Sequence, residues 1–187
     1  DKSKLLSLIN KKFEDLFFYD LPNLFKSGDV LVINNTKVIN AKLIGFLNQR
    51  QIQVTLNKKI NSYQWFVFCK PAKKCNLNDV IKFNKGLIGT IINKGSFGEV
   101  ILEFNLKDTE FYDKISEIGF MPLPNYIKNK SINDTKNYQT IFANENGAIA
   151  SPTAGLHFTE KVLKKLHWKG VILAPVTLHV GSGTFLP

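Results

Sequence analysis

Five short apolar runs, spaced almost evenly between residues 46 and 105, constrain the fold of this chain more than any other feature. Gln51–Leu56 alternates, with Ile52, Val54 and Leu56 on one face. Tyr63–Phe68, Val80–Phe83, Leu87–Ile92 and Glu99–Phe104 follow as further strands. Asn84-Lys85-Gly86 and Lys94-Gly95-Ser96-Phe97-Gly98 supply the turn chemistry between them. Strands this short at this spacing predict a small closed barrel over 46–105. Trp65 and Phe66 are neighbours on one strand and face opposite ways, so at least one packs inward while the other can stack on a base.

On either side of that stretch the texture is mixed. Ser3–Ile9 fits a strand that Lys12–Phe18 can pair with. Asp20 is placed to cap a helical turn with Pro22 in its first turn, and Ser27-Gly28-Asp29 stops it. Val30–Ile33 is a continuous apolar run, the mark of a strand buried on both faces. Asn34-Asn35-Thr36-Lys37 follows, either as a tight turn or as polar groups at the mouth of a site. A helix over Phe111–Ile118 ends at Gly119, and Met121-Pro122-Leu123-Pro124 is stiff and extended. A second helix is predicted over Asp134–Ala143, carrying Tyr138, Gln139 and Thr140. Thr159 caps a third, which Gly170 terminates. Its buried stripe is Val162, Leu163 and Leu166. Lys161, Lys165 and Lys169 recur opposite, beside Trp168, as a solvated face or as a grip on a phosphate backbone. Val171–Val180 is a strand interrupted by Pro175, which implies an edge or a bulge.

A chain of 187 residues with 44% hydrophobic content is globular rather than disordered. Its net charge of +10 permits a nucleic-acid partner, but of 25 basic residues only Arg50 is arginine, and 19 residues are Asn. That bias is the imprint of AT-rich codons. Lysines steer and hold a backbone without the planar fork that reads guanine edges. Cys69 and Cys75 match no zinc or redox spacing, so no metal is expected and both read as structural thiols. No apolar run reaches the length of a membrane span and no basic-then-apolar leader opens the chain, so a cytoplasmic protein without a membrane partner is expected, and a monomer.

Tyr138–Phe158 reads YQTIFANENGAIASPTAGLHF. The small polar run Ser151-Pro152-Thr153-Ala154-Gly155 buries little apolar area; it is either an ordinary loop or a backbone free to approach another molecule closely. Gly181-Ser182-Gly183-Thr184 lacks the ending of a phosphate loop and is by itself a weak signal. Together, PTAGLHF, TLHVGSGTF at 177–185, GDVLVINNTKVINAKL at 28–43 and MPLPNYI at 121–127 resemble one family, the S-adenosylmethionine:tRNA ribosyltransferase-isomerases of queuosine synthesis. The resemblance runs over almost the whole chain and covers about the first half of a family member. It departs from the family at Asn35 and Lys37, where Asp and Arg are usual.

The resemblance implies a mixed α+β fold, with a larger α/β domain (1–45 and 106–187) into which the small barrel is inserted. It implies transfer and isomerisation of the ribosyl unit of S-adenosylmethionine, as co-substrate, onto 7-aminomethyl-7-deazaguanine in tRNA. The products are epoxyqueuosine, adenine and methionine. A sulfonium acidifies the neighbouring C–H, so a base must take a proton from the ribose 5′-carbon, and adenine leaves more easily when a donor protonates it. Histidine suits both tasks near neutral pH. His157 and His179, inside the motifs, are the candidates; His167 reads as exposed. The S-adenosylmethionine site is assigned to Tyr138, Gln139, Thr140, Pro152, Thr153, Ala154, Gly155, Phe158, Thr177, Gly181, Gly183, Thr184 and Phe185. There the threonines can bond ribose or carboxylate and the phenylalanines can stack on adenine. Asn34, Thr36, Lys37, Lys161, Lys165 and Trp168 are assigned to the tRNA. Family members continue past Pro187, so a companion chain supplying the missing half, an inactive fragment and a non-enzymatic RNA-binding barrel are the competing expectations.

Overall fold

The computed structural model describes residues 2–9, 11–95, 98–123, 137–181 and 183. The chain divides into two compact units, Asp1–Lys37 with Ile132–Glu145 and Ser151–Leu178, and Val38–Ser131 with Asn146–Ala150 and His179–Pro187.

In the first unit, β1 (Lys4–Ile9) and β2 (Lys12–Phe17) form an antiparallel hairpin, with Lys4 opposite Phe17. A 3-10 segment, Phe18–Leu24, follows directly. Asp20 does cap it, but from its third residue: the carboxylate accepts from Phe17 N at 3.1 Å, and Pro22 is interior. Strand β3 (Val30–Asn34) pairs in parallel with the strand Ile172–Val176. The apolar run of β3 is buried on one face only. Leu31 packs into a cluster with Phe18, Val162, Leu166 and Val171, whereas Val30 and Val32 are 56% and 61% exposed. A two-stranded sheet has one covering layer in this unit, so a run suited to two-sided burial leaves half its side chains outside. That layer is the helix Glu160–Trp168. Its cap is Thr159 Oγ1, which accepts from Val162 N at 3.4 Å, and Gly170 follows its end at φ +81°.

The second unit is built on a closed six-stranded antiparallel barrel. Its members are β5 (Lys42–Leu47), β6 (Arg50–Lys59), β7 (Gln64–Lys70), β8 (Val80–Phe83), β9 (Ile88–Lys94) and β10 (Glu99–Phe104), in the circular order β10-β7-β6-β5-β8-β9. The five evenly spaced runs supply five of these. The sixth, β5, lies within the segment 28–43 and just beyond it, where no turn signal separates it from what precedes. Ile52, Val54 and Leu56 all point into the core, with Trp65, Val67 and Cys69 from β7. Helix α1 (Asp108–Ile118) adds Phe111 and Ile115 to that core, Phe111 lying 5.6 Å from Trp65 and 4.8 Å from Phe104 by ring centroids. It ends at Gly119, as the sequence implies. Short strand β4 (Thr36–Val38) leads into this unit, where Ile39 N donates to Ala148 O of β11 (Glu145–Ala148) at 3.0 Å. The helix Glu160–Trp168 is α2 and the strand Ile172–Val176 is β12 in chain order.

Of the helix expected over Asp134–Ala143, Asn137 is helical and the helix ends there, before the residues it was expected to carry. Residues 134–136 lie outside the described residues, and Tyr138–Thr140 is turn. Ala143 N closes a turn onto Thr140 O at 3.2 Å. Residues 124–127 of MPLPNYI also lie outside the described residues.

Candidate functional site

Within the second unit, a cavity of about 430 Å³ is lined by Asn57, Lys58, Lys59, Trp65, Tyr112, Gly147, His179, Val180 and Gly181. A register shift between Leu56 and Lys58 places one extra residue, Asn57, in β6 opposite β7. Such a bulge re-aims the side chains that follow, and here those are Lys58 and Lys59. Lys59 Nζ donates to Asp108 Oδ1 at 3.0 Å and sits 5.4 Å from the centre of the Tyr112 ring. The hydrogen bond from Lys59 holds the Asp108 carboxyl below its usual range. Burial pushes the Tyr112 phenol up, so it stays neutral at physiological pH.

Two segments distant in sequence complete this wall. Ile149 N and Ala150 N both donate to Val180 O, at 2.8 and 3.2 Å, which sets the segment 146–150 beside His179–Gly181. Gly147 adopts φ +151°, and a Cβ built on it would meet the His179 ring at 2.6–2.8 Å. The imidazole therefore lies flush against a backbone that only glycine leaves open. His179 is exposed, so its ring is accessible to a molecule in the cavity.

The first unit holds the other assigned group. Thr153–His157 is a 3-10 turn, not a simple loop, with Gly155 N donating to Pro152 O at 2.9 Å. A Cβ on Gly155 would meet Thr140 Cγ2 at 2.9 Å, so PTAGLHF and YQT are in close contact. Tyr138 and Thr140 are buried, and Gln139 is half-buried. Thr140 Oγ1 and Ser151 Oγ are buried without a hydrogen-bond partner among the described residues. Buried hydroxyls are ordinarily satisfied, so this pair marks a place where an acceptor or a water belongs. Phe158 is enclosed edge-on by Phe18 at 5.0 Å and Phe142 at 5.2 Å. His157 is exposed, bonds Ser3 Oγ through Nδ1 at 3.0 Å, and lies 5.4 Å from the Phe18 ring.

The remaining assigned residues divide by what already engages them. Asn34 Nδ2 donates to Leu178 O at 2.8 Å, and its Oδ1 accepts from Thr36 N and Leu178 N, both at 3.1 Å. Thr177 Oγ1 donates to Asn35 Oδ1 at 2.7 Å. These groups lock the residues after β12 against the end of β3. Thr36 is buried and Lys37 exposed. Lys161 and Lys165 meet in a second cavity of about 280 Å³ with Lys2, Tyr19 and Val162. Lys169 is occupied instead by Pro22 O and Asn23 O, at 2.8 and 3.3 Å. Trp168 is 80% exposed and Gly183 is exposed, while Thr184 and Phe185 lie outside the described residues. Trp65 is 1% exposed and is no surface stacking platform, although it reaches the cavity wall.

Lys59 and Tyr112 carry no motif that singles them out, and Gly147 reads in the sequence only as part of an Asn-Gly turn. Among the described residues no group of three or more His, Cys, Asp or Glu could hold a metal ion. No described helix is long and apolar enough to cross a membrane.

A family model described as a queuosine biosynthesis protein matches residues 1–187. S-adenosylmethionine:tRNA ribosyltransferase-isomerases of Rhodospirillum rubrum and Brucella ovis are 43% and 42% identical over 188 and 203 residues, covering all of this chain and 54% and 56% of their own length. The chain thus spans about half the length of the curated relatives it matches. A solved structure of an S-adenosylmethionine tRNA ribosyltransferase from Thermotoga maritima is 27% identical, covering 97% of this chain and 52% of its own, with a TM-score of 0.39.

Proposed function

The chain belongs to the queuosine biosynthesis protein family, and from that premise we propose that it forms part of an S-adenosylmethionine:tRNA ribosyltransferase-isomerase. The ribosyl unit of S-adenosylmethionine is transferred and isomerised onto the aminomethyl group of a 7-deazaguanine in tRNA, with loss of adenine and methionine. The observation that carries this reading is the placement of His179, a motif histidine, on the wall of a cavity large enough for a small-molecule substrate. An accessible imidazole there is suited to protonate departing adenine or to take the ribose 5′ proton.

Lys161 and Lys165, clustered with Lys2, hold tRNA phosphates, and Trp168 stacks on an unpaired base. We assign the barrel to an insertion within a larger α/β domain, its first strand starting at Lys42 rather than at 46. The relatives are about twice as long, so the proposed activity is that of the whole protein, to which these residues contribute about half.

The test is release of adenine from S-adenosylmethionine, with tRNA bearing the aminomethyl deazaguanine as acceptor. Adenine that appears only when both substrates are present supports the reading. A folded chain that stays silent, alone and with the remaining half of a relative added in trans, overturns it. Retention of unmodified RNA without any dependence on S-adenosylmethionine would favour an RNA-binding barrel instead.

A further inference from the structure

Arg50 is the one arginine among 25 basic residues, and none of the roles above uses it. A lysine would carry the same charge, so what Arg50 adds is a planar fork of donors. It follows the tight turn Asn48–Gln49, where Asn48 adopts φ +54°, and opens β6 opposite Leu47. Exposed there, it meets Lys74, Asn76 and Asp79 of the β7–β8 loop around a groove of about 490 Å³.

The barrel's alternation brings these loops together. Its strands run alternately up and down, so the β5–β6, β7–β8 and β9–β10 connections share one end. Arg50, Lys70, Lys73, Lys74 and Lys94 stand exposed at that end, against the carboxylates of Asp79 and Glu99. Among the described residues none of these cations is ion-paired. Asp79 is turned into its own loop, its Oδ2 accepting from Asn76 N at 2.7 Å. The opposite end is neutralised: Lys59 is met by Asp108 at 3.0 Å, Lys85 by Glu117 at 3.2 Å, and Lys107 lies over the Tyr63 ring. The lining then selects the partner. Arginine, lysine and the amides of Asn48, Gln49 and Asn76 are the side chains that bond phosphate and sugar oxygens. Among the described residues no aromatic lines the groove and Leu47 is half-buried, so it lacks the apolar anchor on which a protein partner docks. Cations spread over three loops suit a run of phosphates better than a single anion.

We propose that this end of the barrel grips the phosphate backbone of RNA, with the Arg50 fork bidentate on one phosphate and Lys74 beside it as a point charge. That the RNA is the tRNA rests on the proposed function; the grip itself rests on the groove and its charge.

The probe is an unmodified tRNA transcript, titrated onto the whole chain by fluorescence anisotropy across a salt series. Arg50→Gln with Lys74→Gln should weaken binding about tenfold and flatten log K against log salt by about one to two. Both side chains are exposed, so urea melts should not move. Arg50→Lys keeps the charge and loses the fork, so the salt slope should hold while affinity falls about threefold. Lys85→Gln with Lys114→Gln removes the same charge from the cluster around Glu117 and should leave binding unchanged. No binding, no loss in the first double variant, or equal losses in both overturns the proposal. Polyglutamate that displaces the transcript as well as RNA of equal charge points to an acidic protein and overturns it too. Adenine release whose half-saturating tRNA concentration is unmoved by Arg50→Gln with Lys74→Gln overturns it while leaving the proposed function standing. A transcript held through Arg50 by a protein that never releases adenine supports the grip and sinks the proposed function.

Discussion

Gly147 and His179 form the tightest functional contact in the cavity, and its physics is that of a missing side chain. With φ at +151° and a prospective Cβ at 2.6–2.8 Å from the ring, Gly147→Ala must strain its own backbone and push the imidazole aside. The expected cost is about 1–3 kcal/mol in urea melts, with a matching loss of adenine release. His179→Ala separates the two effects. The ring is exposed, so stability should hold, while release falls by about 10²–10⁴-fold, the usual contribution of a proton-transfer group. His157 is set differently, with Nδ1 engaged by Ser3 and its ring against Phe18. Thr140 and Ser151 show in the same unit that burial alone does not supply a partner.

Helix α2 shows how far an element's ends and faces answer to local chemistry. Thr159 caps its first turn and Gly170 follows its last, so Thr159→Ala should lower stability by about 0.5–2 kcal/mol in urea melts. Its buried face, Val162 and Leu166, follows helical spacing and packs with Phe18 and Val171. The opposite face is not uniform, since Lys169 is stapled to the carbonyls of Pro22 and Asn23 while Lys161 and Lys165 gather with Lys2. Replacing Lys161 and Lys165 by Gln should weaken RNA binding without sequence preference. It should also flatten the dependence of log K on log salt, by about one for each phosphate that is no longer neutralised, measurable by filter binding across a salt series. Strand β6 makes the complementary point. Its alternation places Ile52, Val54 and Leu56 inside the barrel, and a one-residue bulge then breaks the period where the cavity begins.

Across the whole molecule, the two cysteines link the barrel to pH. Burial, reinforced by the neighbouring Cys75, pushes the Cys69 thiol from 9.0 to about 12, and burial raises Cys75 as well. In the unfolded chain the thiol ionises near 9.0, so between there and about 12 the folded form retains a proton that the unfolded form releases. This stabilisation is complete below pH 9 and is lost as pH rises toward 12. Urea melts from about pH 8 to 11 should therefore fall more steeply for the wild type than for Cys69→Ala. The family motifs, five of the six barrel strands, the C-terminal end of α1 and the cap of α2 were legible in the chain because each depends on neighbours in sequence: period, turn residues, a hydroxyl three positions before an N–H. The turn at Tyr138–Thr140, the one-sided burial of β3 and the strand β5 were not, because packing overrides propensity and continuous apolar runs carry no record of how many layers will cover them. The cavity is the extreme case. It joins residues 57–59, 65, 112, 147 and 179–181, and no local rule connects them. The sequence alone determined the family; only the tertiary structure decided that His179 shares a wall with Lys59, Trp65 and Tyr112, because burial, and hence an unsatisfied indole, exists only once distant segments have closed around it.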